Sequence, residues 1–214
     1  MLQPDAAPAA STACALALHG FEHVGRYWDG PHSVCAVRVL PGEFYVSRED
    51  EMITTVLGSC VAACVRDPVA GIGGMNHFLL PSPGSAAMLS GPTTRFGVTA
   101  MQALVASVLQ HGGQRERLEF KLFGGGKVIE GMSSQDIGNR NIAFAQRFLA
   151  EAGCVAQTTD LGGSWPRKVH YFPRSGRALV KRLPAVYSRA IQEREQQLVA
   201  QAASPDRATA AELL

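Results

Sequence analysis

Three apolar runs separated by two short breaks dominate the first half of the chain and constrain its fold most. Met52 to Leu57 is apolar and β-branched, and Gly58-Ser59 breaks it. Cys60 to Arg66 follows, then the loop Asp67-Pro68-Val69-Ala70, then Gly71 to Leu80. Runs this short, bounded by turn residues, read as buried strands. Pro68 occupies a favoured turn position, so the last two runs read as strand, turn, strand.

The rest of the chain supplies further pieces. Val37 to Leu40 and Glu43 to Val46 read as extended segments around the turn signal Pro41-Gly42. Phe96 to Gln110 has helical spacing, with Val98, Met101, Leu104, Val105 and Val108 on one face. His111-Gly112-Gly113 stops it. Leu118 to Phe123 alternates as a strand would, and Gly124-Gly125-Gly126 breaks it sharply. Asn139 to Ala152 reads as a second helix, with Ile142, Ala145, Phe148 and Leu149 inward. Val169 to Phe172 and Ala178 to Lys181 read as strands joined by Pro173-Arg174-Ser175-Gly176. The absence of a regular βαβ rhythm points to an α+β domain, a layered mixed β-sheet and helix sandwich. Weak periodicity marks residues 1–40 as a flexible extension. Residues 41–183 form the folded domain, and 184–214 a polar tail, helical or frayed.

Composition removes several function classes. With 46% hydrophobic and 18% charged residues the chain is a folding one. A net charge of +2 gives no electrostatic reason for nucleic acid or an anionic membrane as partner. The Ala-rich stretch Ala6 to Leu18 lacks a positive n-region, because Asp5 precedes it and no Lys or Arg occurs before Arg26. No apolar run could span a bilayer. The chain therefore reads as cytoplasmic and not integral to a membrane. Five cysteines, Cys14, Cys35, Cys60, Cys64 and Cys154, are an odd number without a C-x-x-C pair. That argues for reduced thiols over a zinc site or a disulfide framework. Gly124-Gly125-Gly126-Lys127 lacks the spacing of a phosphate loop and reads as a tight turn or close backbone approach.

One pair carries chemistry. If Asp67 to Ala70 is the loop, Arg66 faces Gly71 and Cys60 falls directly opposite His77. Their Cβ atoms would then lie roughly 4.5–5.5 Å apart on one face. A thiolate beside an imidazolium is an activated nucleophile, and the same imidazole can protonate a departing amine and then activate water. A third group orients such a histidine. Thr54 and Thr55 are the candidates. Gly58 leaves backbone space for a substrate amide, and N–H groups around Ser59 and Cys60 could form an oxyanion hole. The other four cysteines read as small core residues.

These residues resemble a known family. L-G-S-C at Leu57–Cys60, G-G-M-N-H-F-L-L-P at Gly73–Pro81, F-G-G-G at Phe123–Gly126, I-G-N-R-N at Ile137–Asn141 and D-L-G-G at Asp160–Gly163 are similar to CheD, the chemoreceptor glutamine deamidases. The resemblance runs from about Tyr45 to Leu183. It implies Cys60 as nucleophile, His77 as general acid and base, and Thr54 as the residue orienting His77. It implies glutamines of methyl-accepting chemotaxis receptors as substrate, no metal or organic cofactor, and in some bacteria a CheC-type phosphatase as partner. The implied fold is similar to the catalytic domain of cytotoxic necrotizing deamidase toxins. Two other readings remain at this point: a non-enzymatic adaptor, and a cysteine protease or transglutaminase-like enzyme.

Overall fold

The computed structural model describes Cys14 and residues 16–79, 97–127 and 132–203. The loop expected at Pro81 to Gly84, Phe96, and the tail after Ala203 lie outside the described residues, as does most of Ala6 to Leu18.

Among the described residues, ten strands form two five-stranded sheets. The first has the order β1 (Arg26–Asp29), β2 (Val34–Arg38), β4 (Glu51–Leu57), β9 (Arg167–Phe172), β10 (Arg177–Arg182). The second runs β3 (Phe44–Ser47), β6 (Ile72–Asn76), β5 (Val61–Asp67), β7 (Glu119–Gly124), β8 (Ala156–Leu161). Both are mixed: β2–β4 and β7–β8 are parallel and the remaining pairs antiparallel. Helices α1 (Gly97–Gln110) and α2 (Met132–Glu151) pack on the second sheet. This is the layered α+β sandwich expected.

The central position of β5 explains its composition. Val61 to Val65 are fully buried at every position, which period-2 alternation alone would not give. The first sheet covers one face of the second, and α1 and α2 cover the other. Ala100, Met101, Leu104 and Val108 form the inward stripe of α1, while Val98 is partly exposed. Gly74 permits this approach: a Cβ there would lie 2.4 Å from the Tyr45 carbonyl and 3.0 Å from Leu104 Cδ1. The Tyr171 hydroxyl donates to the Val65 carbonyl across the two sheets at 3.4 Å.

The β5–β6 hairpin differs from expectation by two residues. Asp67 belongs to the strand and pairs with Ile72, while Gly71 belongs to the turn with φ +63°. The cause is the Asp67 carboxylate, which accepts from the N–H groups of Val69, Ala70 and Gln114 and from the Arg117 guanidinium. The guanidinium foremost, and then these backbone donors, holds its carboxyl well below the usual range. Removing Arg117 would leave the Asp67 carboxylate with its three backbone donors and without its cationic partner.

The leader also differs. Its expected looseness stops short of Arg26, since β1 and β2 pair with each other and β2 continues the sheet against β4. Cys14 and Cys35 are joined in a disulfide, with Cα atoms 5.5 Å apart. An odd cysteine count excludes complete pairing and says nothing against one bridge. Cys60, Cys64 and Cys154 are free.

Candidate active site

The turn between β4 and β5 is oriented by its carbonyls. The Gly126 N–H donates to the Gly58 carbonyl and the Gly125 N–H to the Cys60 carbonyl, each at 2.7 Å. The Asn141 side-chain amide of α2 donates to the carbonyls of Ser59 (3.1 Å) and Leu79 (2.9 Å). All three carbonyls are thus drawn to one side. A planar trans peptide puts its N–H opposite its C=O. The N–H groups of Ser59 and Cys60 are therefore turned the other way.

The glycines make this possible. Gly124 has φ +109°, and a Cβ there would sit 2.2 Å from the Cys60 carbonyl. The expected close backbone approach is therefore an approach to the Cys60 turn itself. Behind it, Gly162 N–H donates to the Gly124 carbonyl at 2.9 Å, and Lys127 N–H to the Gly163 carbonyl at 2.6 Å. The buried Arg167 guanidinium holds Asp160 and the Gly162 carbonyl. The D-L-G-G segment thus braces the glycine break, which braces the turn.

On the opposite side the N–H groups converge on one group, the carboxylate of Glu195 in helix α3 (Ser188–Ala203). Gly58 N–H donates to Oε1 at 3.0 Å and Ser59 N–H to Oε2 at 3.0 Å. The Ser59 hydroxyl donates to Oε2 at 2.5 Å, and the Cys60 N–H reaches Oε1 at 3.4 Å. Three backbone donors and a hydroxyl around one carboxylate form an anion cradle of the oxyanion-hole type.

His77 lies just beyond β6. The isolated bridge Val61–Phe78 keeps the hairpin register up to the site, so His77 falls opposite Ala62. The two-residue shift replaces the expected direct pair with a diagonal one, with Cα atoms ~7–8 Å apart in such geometry. A shift of two preserves the face, so Cys60 and His77 remain on the same side.

The residue touching His77 is Thr55. Its hydroxyl lies 2.8 Å from His77 Nδ1 and donates to the Val39 carbonyl at 2.7 Å. A hydroxyl has one proton, and Val39 takes it, so Nδ1–H is the donor to Thr55. The imidazole is therefore the Nδ1–H tautomer, with Nε2 as the free basic nitrogen. Nε2 is buried without a protein partner. Thr54 was the expected residue. It lines the same cavity as His77, but its buried hydroxyl has no hydrogen-bond partner.

The resting protonation also differs from an ion pair. Burial pushes the His77 pKa down to about 3. Burial foremost, and then the Glu195 charge, pushes the Cys60 thiol well up. With Glu195 in place the pair is a neutral thiol and a neutral imidazole.

Glu195, Asn141 and Arg167 were missed from sequence. Asn141 lay within a quoted motif, I-G-N-R-N, and Arg167 next to the expected strand Val169 to Phe172. Glu195 sits in a polar tail with no pattern to mark it. A cavity of about 290 Å³ lies beside the turn, lined by Thr54, Thr55, His77, Ile191, Arg194 and Glu195 among others. Among the described residues no group of three or more His, Cys, Asp or Glu could hold a metal ion. No described helix is long and apolar enough to cross a membrane.

A free, buried cysteine on a turn whose N–H groups form an anion cradle suits thiol-dependent acyl transfer, and His77 Nε2 makes no hydrogen bond to it. Comparison with known proteins gives the family. The pattern described as "CheD chemotactic sensory transduction" matches residues 79–182. A "probable chemoreceptor glutamine deamidase CheD" of Halorhodospira halophila is 51% identical over 185 residues, 84% of this chain and 84% of the relative. A protein of the same description from Saccharophagus degradans is 50% identical, covering 78% of this chain and 79% of its own. One from Paraburkholderia xenovorans is 46% identical, covering 82% and 70%. The chain belongs to the CheD family.

Proposed function

We propose that this chain hydrolyses side-chain amides of chemoreceptor glutamines to glutamate and ammonia, with Cys60 as nucleophile and His77 as proton carrier. The observation that carries the reading is the cradle around Gly58, Ser59 and Cys60, which already holds a glutamate side chain, the chemical product of the reaction.

In the first half, His77 Nε2 takes the Cys60 proton as sulfur attacks the carboxamide carbon. The carbonyl oxygen becomes an oxyanion in the backbone cradle. The C–N bond then breaks, the Nε2 proton goes to nitrogen, and ammonia leaves a thioester on Cys60. In the second half Nε2 takes a proton from water, hydroxide adds to the thioester, and the C–S bond breaks. The carboxylic acid is released and the proton returns to sulfur. Thr55 keeps Nδ1 protonated, so Nε2 remains the working nitrogen throughout. Fixed donors that need no reorganisation as charge develops are worth about 2.7–4 kcal/mol each in comparable sites.

The family resemblance supports a substrate in the cytoplasmic region of methyl-accepting receptors, and with it a cytoplasmic protein. A CheC-type phosphatase as further partner rests on the family resemblance alone. Peptide mass spectrometry of a receptor cytoplasmic fragment, incubated with the wild type and with Cys60→Ala, tests the reading. Glutamine-to-glutamate conversion is expected only with the wild type. Retained receptor binding without conversion would move the assignment to an adaptor.

A further inference from the structure

Resting on that reading, we infer that α3 is an internal product-like inhibitor, whose Glu195 side chain occupies the seat of the receptor carboxamide and must be displaced by the incoming substrate helix.

Glu195 has the side chain that deamidation creates. It reaches the cradle from the surface of a helix and engages every described donor of the turn at once. Gly58 completes the fit: a Cβ there would lie 2.9 Å from Glu195 Oε1 and 3.0 Å from Ile191 Cγ2. The space that the glycine leaves for a substrate is filled by α3, with an aliphatic side chain one helical turn before the carboxylate. A helical substrate would present its glutamine in the same manner.

The seat is built to be vacated. Among the described side chains of α3, Glu195 alone is buried and Ile191 is half-buried, while Arg189, Glu193, Arg194 and Gln197 are exposed. Arg189 and Glu193 pair with each other on the outer face at 3.0 Å. The Glu195 carboxylate is therefore the one buried contact that the described side chains of α3 make with the site. The plug also silences the nucleophile. Its charge beside Cys60 disfavours the thiolate, and with it seated the thiol has no solvent exposure.

The test uses the full chain with Glu195→Ala and Glu195→Gln, and peptide-resolved iodoacetamide labelling. Glu195→Ala is expected to label Cys60 faster by about tenfold or more, as loss of a competitor worth about 1.4 kcal/mol would give. Cys64, fully buried in β5, reports on the fold and should label at the wild-type rate. The KM for a receptor fragment should fall in the same variant. Glu195→Gln supplies a second readout that does not depend on loss of a contact. The introduced amide is expected to convert to the acid within the chain, and to persist when Cys60→Ala is added.

Unchanged Cys60 labelling and unchanged KM in Glu195→Ala would overturn the inference while leaving receptor deamidation standing. An introduced amide that persists while the same sample converts receptor glutamines would also overturn it. Faster Cys60 labelling in a protein that converts no receptor would sink the deamidase reading and leave the seat occupied as described.

Discussion

The two sides of the Cys60 turn are held in different ways. On the carbonyl side, Gly125, Gly126 and Asn141 fix three successive peptide units, and Arg167 and the D-L-G-G segment brace the glycines. Every bond there joins parts of the folded core. On the N–H side a single carboxylate from the C-terminal helix satisfies all the donors. The difference teaches how a catalytic turn stays rigid and accessible together. The core pays the ordering cost of the backbone, so the face that meets substrate can exchange one occupant for another.

Glycine substitutions break this comparison most directly. Gly124→Ala forces a side chain onto a φ of +109° and into the Cys60 carbonyl. A stability loss of at least about 1–3 kcal/mol is expected from the backbone conformation alone, with loss of activity. At Gly58→Ala the nearest atoms that the new Cβ meets belong to the side chains of Glu195 and Ile191. It should lift α3 with little change in thermal stability, read as faster Cys60 labelling. Equal destabilisation by the two variants would contradict the division into a fixed and an exchangeable side.

The two threonines sharpen it next. Thr55→Val removes the acceptor that fixes the His77 tautomer and is expected to lower kcat by roughly tenfold or more, within the general range for proton-transfer groups. Thr54→Val removes a buried hydroxyl without a partner, and should leave kcat unchanged and stability equal or higher. The reverse order of effects would restore Thr54 as the orienting residue.

Acid titration probes the burial on the His77 side. Burial lowers the folded pKa of His77 to about 3 and of His170 to about 4. Unfolded histidines titrate near pH 6.5. Below that pH the unfolded chain binds protons that the folded one refuses. The histidine contribution to stability is therefore present above about pH 6.5 and lost as pH falls towards 4 and then 3. Denaturant midpoints across that window should fall with pH, and His170→Asn should flatten part of the slope.

The legible part of the site was the part with short-range causes. The apolar runs and the Gly58-Ser59 break gave β4, the turn and β5. The two-residue register error came from Asp67, whose side chain caps the turn and so extends the strand that its type usually ends. Thr54 and Thr55 stayed open because adjacent strand residues differ only in the face they take. Strand β8 was not anticipated, since its outward residues are polar and its pairing with β7 joins distant parts of the chain. Glu195 lay furthest from view. Its partners are 135 to 137 residues away, and nothing in a polar helix marks one carboxylate as buried.

Trapping the acyl intermediate tests the central claim most directly. A receptor fragment would be incubated with the wild-type protein and hydroxylamine, and its glutamines mapped by mass spectrometry. A Cys60 thioester predicts γ-glutamyl hydroxamate at the same glutamines that otherwise become glutamate, and no hydroxamate with Cys60→Ala. Glutamate formed at the usual rate, with no hydroxamate at any hydroxylamine concentration, would mean that water attacks the amide directly and that Cys60 is not the nucleophile.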